Sequence, residues 1–194
     1  FRVGLPALAF DEQEPLVNAL QQLHAAGTRL IWLEGNHDFR LGADLARRLG
    51  AEIYPGPVLL ELQGKQVFLC HGDLINKADW RYRLLYRTLR SRATLQIGRM
   101  LPASAVQGLR SRLQRSSKGR YSGNRKRWDY SSMIRSYAES IRTEGAQALV
   151  LGHFHQPFIE HQQEFTLVSL GDWISHYSYA ELLDGSFRLL TYPA

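Results

Sequence analysis

Ala148-Leu149-Val150-Leu151-Gly152-His153-Phe154-His155 is an apolar run of four residues that stops in a pair of histidines. It reads as a strand followed at once by a polar loop. The same arrangement occurs twice more: Asn36-His37-Asp38 follows Ile31 to Leu33, and His71 follows Val67 to Cys70. In a layered α/β sheet the carboxyl ends of strands converge on one crevice, so three such ends can bring these groups together. The expected class is therefore α/β, with the chemistry at one sheet edge.

Each cluster also has a plainer reading on its own. Gly35-Asn36-His37-Asp38 is made of standard turn residues. A single histidine after a strand, such as His71, serves more often as a hydrogen-bonded structural residue. His153 and His155 point the same way only on an extended chain, where side chains alternate between faces. In combination the three clusters point to metal chemistry, since imidazoles and amide oxygens suit manganese, zinc or iron. A paired metal centre promotes phosphate-ester hydrolysis by making hydroxide available near neutral pH and by clamping the attacking and leaving oxygens in line.

Outward from these ends, Leu16, Ala19, Leu20 and Leu23 repeat at helical spacing between Glu14 and Ala26, with Gly27 as the stop. A short strand over Arg29 to Leu33 comes next, then a helix from Asp44 to Leu49 ended by Gly50. Val58 to Leu62 and Gln66 to Cys70 flank the Gln63-Gly64 turn as a hairpin. Asp79 to Leu113 has a helical pattern broken at Gly98 and Pro102, and Ser116 to Arg127 is polar and Gly-rich enough to be a loop. Asp129 can cap a helix running to about Thr143, with Gly145 beyond it. Four strand-like runs follow, Ala148 to Leu151, Pro157 to Glu160, Phe165 to Leu170 and Tyr177 to Leu183. The Asp184-Gly185 turn leads to a fifth, Phe187 to Tyr192.

A chain of 194 residues with 44% apolar content can bury one sizeable core, so a single domain over 1–194 is expected, with a helical insert at about 77–127. No apolar run approaches the roughly 20 residues that span a bilayer. The one cysteine, Cys70, excludes an internal disulfide and fits a reducing cytoplasm. There is no internal repeat. The net charge of +6 is unevenly placed: 15 of the 24 Lys and Arg lie between Lys77 and Arg127, where Asp79 is the only acid. Such separation costs self-repulsion and suggests an anionic partner, although a solvated basic helical face would read the same way.

In their order along the chain, Gly35-Asn36-His37-Asp38, His71-Gly72-Asp73 and Gly152-His153-Phe154-His155 resemble the third, fourth and fifth motifs of the calcineurin-like metallophosphoesterases. The resemblance implies a layered αββα sandwich and two divalent metal ions, with manganese expected. Asn36, His71 and His153 would hold one ion and His155 would reach the other. That superfamily opens with Asp-x-His and Gly-Asp-x-x-Asp, and neither occurs here. The sandwich is therefore expected to lack its first strands, with about 50 residues, two βα units, upstream of Phe1. Without them the bridging carboxylate would be missing and these 194 residues alone would be inactive. Gly171-Asp172 does not replace that motif and reads as a turn.

A narrower resemblance spans nearly the whole chain. The run from Gly35 to Gly42, His71-Gly72-Asp73 with Asp79 and Tyr82 downstream, the Ser-Ser-Lys loop at Ser116, and Gly171-Asp172-Trp173 are similar to the UDP-2,3-diacylglucosamine pyrophosphohydrolase family of lipid A synthesis. That family cleaves a UDP-linked diacyl glucosamine lipid into UMP and 2,3-diacylglucosamine 1-phosphate. The resemblance implies a cytoplasmic enzyme, peripheral on the inner membrane and facing an anionic surface. The basic insert would be a substrate cap whose mixed Arg, Leu and aromatic residues suit a diphosphate with acyl chains. Asp79, Tyr82, Ser117 and Arg125 would touch substrate, with Lys118 and Asn124 as substitutes where the loop aligns only across a gap. His37 stands where that family's well-known members have Arg, and it could donate a hydrogen bond or proton to the leaving group. Two other readings stay open: a metallophosphoesterase for another phosphodiester or nucleotide, and a degenerate fold used as a binding module. A nucleic-acid partner is disfavoured.

Overall fold

Strands β6 (Lys65–Cys70), β7 (Ala148–Leu151) and β9 (Phe165–Ser169) lie side by side and parallel at the centre of a five-stranded sheet. β5 (Val58–Leu62) and β8 (Phe158–Gln162) close its two edges antiparallel, giving the order β5-β6-β7-β9-β8. The computed structural model describes residues 2–3, 14–39, 41–102, 104–105, 108 and 128–193. They divide into two compact units, Phe1–Pro55 with Ala78–Arg127, and Gly56–Lys77 with Trp128–Ala194.

Successive side chains on a strand face opposite ways, and both faces of this sheet are apolar. Leu149, Leu151 and Leu167 pack with Ile134, Ala138 and Ile141 of helix α5 (Tyr130–Thr143). Their neighbours Ala148 and Val168, with Val67, pack instead with Phe187 and the half-buried Leu182 and Leu189 of the hairpin β10 (Ser178–Leu183) and β11 (Ser186–Thr191). The second unit is thus layered as helix, sheet and hairpin. Asp129 caps α5 by accepting the Ser132 amide at 3.0 Å, as its sequence position predicts.

The first unit packs α1 (Glu14–Ala25) and α2 (Gly42–Leu49) on a parallel pair, β2 (Leu30–Leu33) and β4 (Ala51–Tyr54). Val17, Leu41, Leu45 and Leu49 form its buried centre against Trp32 and Ile53. Gly50 ends α2 in the left-handed conformation, and a Cβ there would run into the His24 ring. β3 (Asp38–Phe39) pairs in parallel with β1 (Arg2–Val3).

The elements differ from the expected ones at β4, after Asp79 and at Pro157. β4 was not anticipated, because its register with β2 comes from the pairing of two segments about twenty residues apart. The helical stretch after Asp79 breaks at Arg90-Ser91 and not at Gly98, which sits inside α4 (Arg92–Met100). Ser91 marks the new start by accepting the Thr94 amide at 3.1 Å, while α3 (Trp80–Leu89) ends at Arg90. Pro157, read as the start of a strand, precedes β8. The loop over 116–127, with Ser117, Lys118, Asn124 and Arg125, lies outside the described residues.

Candidate metal centre

Because β6 and β7 pair with Cys70 opposite Leu151, the residues just past their ends are brought level. The Gly152 amide donates to the His71 carbonyl at 3.2 Å. The His71 and His153 rings then meet edge to face, with centroids 5.1 Å apart. Between them Gly72 has φ +100°, and a Cβ there would stand 3.2 Å from both the Gly152 carbonyl and the Phe154 ring. Only glycine tolerates that backbone without strain, so the close approach of the two loops depends on it. Phe154 is buried in the core beneath the site and lies against Tyr130, the first residue of α5.

The two histidines of the pair do not stand on an extended chain. His153 and His155 both take left-handed backbone, φ 68° and 51°, so they are not directed by strand alternation. Non-glycine residues held in this region cost of order 1–3 kcal/mol each and cluster at functional sites. His153 faces His71, whereas His155 Nδ1 lies 3.2 Å from Asp172 Oδ2.

Asp172 arrives by the same logic of register. β9 pairs with β7 with Ser169 opposite Leu151, and the Leu170 amide donates to the Leu151 carbonyl at 2.8 Å, so Asp172 leaves the sheet beside the His153 loop. Asp172 is a turn residue, as read, and its Oδ1 accepts the amides of Ile174, Ser175 and His176. It is also more than that. Its side chain is only 9% exposed, and its Oδ2 faces the Nδ1 atoms of both His155 and, at 2.9 Å, His176. Burial by itself would push its carboxyl up, but the amides of Ser175 and Ile174, with the His176 ring, outweigh that and hold it well below the usual carboxylate range. A carboxylate only accepts, so a ring Nδ1 that bonds to Oδ2 does so as the donor. A neutral His155 donating from Nδ1 to Asp172 would present the Nε2 lone pair, the arrangement in which an outer carboxylate orients a metal-binding histidine.

Asn36 and His37 follow β2 in the first unit, Asn36 half-buried and His37 exposed. Asp79 caps α3 by accepting the Tyr82 amide at 3.1 Å, so those two are fixed relative to each other. Among the described residues, no three His, Cys, Asp or Glu side chains gather closely enough to form a metal site by themselves. The donor chemistry nevertheless suits a borderline metal: two imidazoles side by side, and a third oriented by a carboxylate.

Cys70, one residue before His71, is 6% exposed, and burial pushes its thiol up to about 12, with the charge of Asp73 adding and the Gly72 amide offsetting. Iodoacetamide at pH 8 is therefore expected to label it roughly a thousandfold more slowly in the native protein than in guanidinium, followed by mass spectrometry. Equal rates would mean that the core around β6 opens readily.

Polar groups gathered at the ends of adjacent parallel strands make the sheet edge the candidate site of an α/β enzyme. No protein-family model matches the chain. It is 30% identical over 168 residues to the UDP-2,3-diacylglucosamine hydrolase of Haemophilus ducreyi, covering 84% of this chain and 71% of that protein. The enzyme of the same name from Pseudomonas paraeruginosa is 32% identical over 167 residues, covering 83% and 68%. Among solved structures, a predicted phosphoesterase from Streptococcus pneumoniae is 12% identical, covers 87% of this chain and 74% of its own, and superposes with a TM-score of 0.41. The chain belongs to the UDP-2,3-diacylglucosamine hydrolase family.

Proposed function

We propose that this protein hydrolyses the pyrophosphate bond of UDP-2,3-diacylglucosamine, releasing UMP and 2,3-diacylglucosamine 1-phosphate. The observation that carries the reading is the relationship to enzymes of that name at 30–32% identity over more than four-fifths of the chain. Two divalent ions, manganese in the first instance, would supply hydroxide near neutral pH and neutralise charge on the phosphoryl oxygens. Asn36, His71 and His153 are assigned to one ion and His155 to the other, by the resemblance of their motifs. Asp172 holds the His155 ring so that Nε2 remains an acceptor. His37, exposed in its loop, is suited to steady the leaving half of the diphosphate.

The substrate side falls to α3 and its surroundings, with Asp79 and Tyr82 at the start of that helix and Ser117 and Arg125 further on. Trp80 and Met100 are 63% and 85% exposed among arginines on α3 and α4. Apolar and cationic groups interleaved in this way suit acyl chains next to phosphates, and an enzyme peripheral on an anionic membrane face. Among the described residues no helix is long and apolar enough to cross a membrane.

The test uses the full-length protein and supplies UDP-2,3-diacylglucosamine in mixed micelles with Mn2+. Release of UMP that stops on chelation is expected. Chelator-sensitive cleavage of bis-p-nitrophenyl phosphate with the lipid left intact would replace the lipid by another phosphodiester as substrate.

A further inference from the structure

The loop that carries Asn36 and His37 is closed by a buried carboxylate. Glu34, with a side chain only 4% exposed, follows β2 directly, and its Oε1 accepts the Leu41 amide at 2.8 Å. The chain therefore departs at Glu34 and is stapled back to it seven residues later. The other oxygen, Oε2, accepts Arg90 Nη1 at 2.8 Å. That guanidinium also donates to the Pro55 carbonyl at 3.0 Å and to the Gly35 carbonyl at 3.4 Å, and its carbon lies 4.5 Å from the centre of the Tyr86 ring. A guanidinium can hold this many partners because its donors lie in a rigid plane whose face stacks on an aromatic ring.

Arg90 is the residue at which α3 ends, and Asp79 and Tyr82 stand at the other end of the same helix. We propose that Glu34 and Arg90 are positioning residues that lock the Asn36-His37 loop to helix α3, so that the metal-binding loop and the substrate-binding helix move as one piece. The proposal rests on the metal role assigned to Asn36 above. Neither residue need touch an ion or the substrate. Each acts through the backbone, at Gly35 and Leu41, on either side of the loop. A charge buried in this way costs desolvation, which its partner and the three backbone groups offset, and removing either member leaves the other stranded.

Arg90→Met, Glu34→Gln and the double variant are compared with wild type and with Asn36→Ala by two measurements. Hydrogen exchange reads peptides spanning 34–41, and free Mn2+ is followed by its electron-spin signal during titration with the metal alone. Each single variant is expected to speed loop exchange by about tenfold or more and to weaken Mn2+ binding by about ten- to a hundredfold. The double variant should do no worse than the worse single one, because the two residues act as one device. Arg90→Lys, which keeps the charge but not the planar fork, should recover only part of either loss, and it stands in for Arg90→Met if that variant does not fold. Unchanged loop exchange overturns the proposal, and so does wild-type Mn2+ affinity in the clamp variants where Asn36→Ala has lost it. Wild-type affinity in Asn36→Ala sinks the ligand assignment instead, and exchange over 34–41 then judges the clamp by itself.

Discussion

Replacing His71 by alanine in the full-length protein is expected to lower turnover by about a hundredfold or more while leaving the fold intact. The fold should survive because the His71 carbonyl accepts the Gly152 amide whatever the side chain. Its ring is only partly buried, so the change in stability should stay within about 1 kcal/mol. The loss should fall on kcat at saturating lipid, because on the proposed reading the imidazole serves the reacting phosphoryl group and not the acyl chains. Melting temperature, kcat and bound Mn2+ measured on the same preparation separate these effects. A folded His71→Ala protein that turns over like wild type would remove His71, and with it the paired ring of His153, from the catalytic centre.

The elements around this site were largely legible because their signals are local. β6 and β7 are apolar runs ended by polar loops, and the cap of α5 by Asp129 lies three residues from its partner Ser132. What escaped depended on pairings distant in sequence. Gly171-Asp172 looks like a turn and is one, but its place beside His155 follows from the register of β9 with β7, which no short window shows. Glu34 looks like a charge at the end of a strand. Its burial becomes tolerable only through Arg90, 56 positions later. The left-handed backbone at His153 and His155 was also hidden, because the usual mark of that conformation is glycine, and histidine, though enriched there, still adopts it in only a small minority of cases.

Asp172→Asn and Asp172→Ala should fail differently, and the difference tests how His155 is held. Asparagine keeps an oxygen for the amides of Ile174, Ser175 and His176, so the turn should persist with a loss of about 1–2 kcal/mol as charge-assisted bonds become neutral. Its amide nitrogen then occupies the place of Oδ2 and presents hydrogens to the Nδ1 atoms of His155 and His176. His155 must accept there, which moves its hydrogen to Nε2 and removes the lone pair an ion would use. Alanine releases the turn but imposes no tautomer, so some rings can still present Nε2. Affinity for the ion assigned to His155 should therefore fall by about ten- to a hundredfold in Asp172→Asn, and by no more than that in Asp172→Ala despite its poorer stability. Nitrogen-15 shifts of the His155 ring, read without metal, should show hydrogen on Nδ1 in the wild type and on Nε2 in the asparagine variant. If the variant keeps both the wild-type tautomer and the wild-type Mn2+ affinity, Asp172 is a turn residue and nothing more.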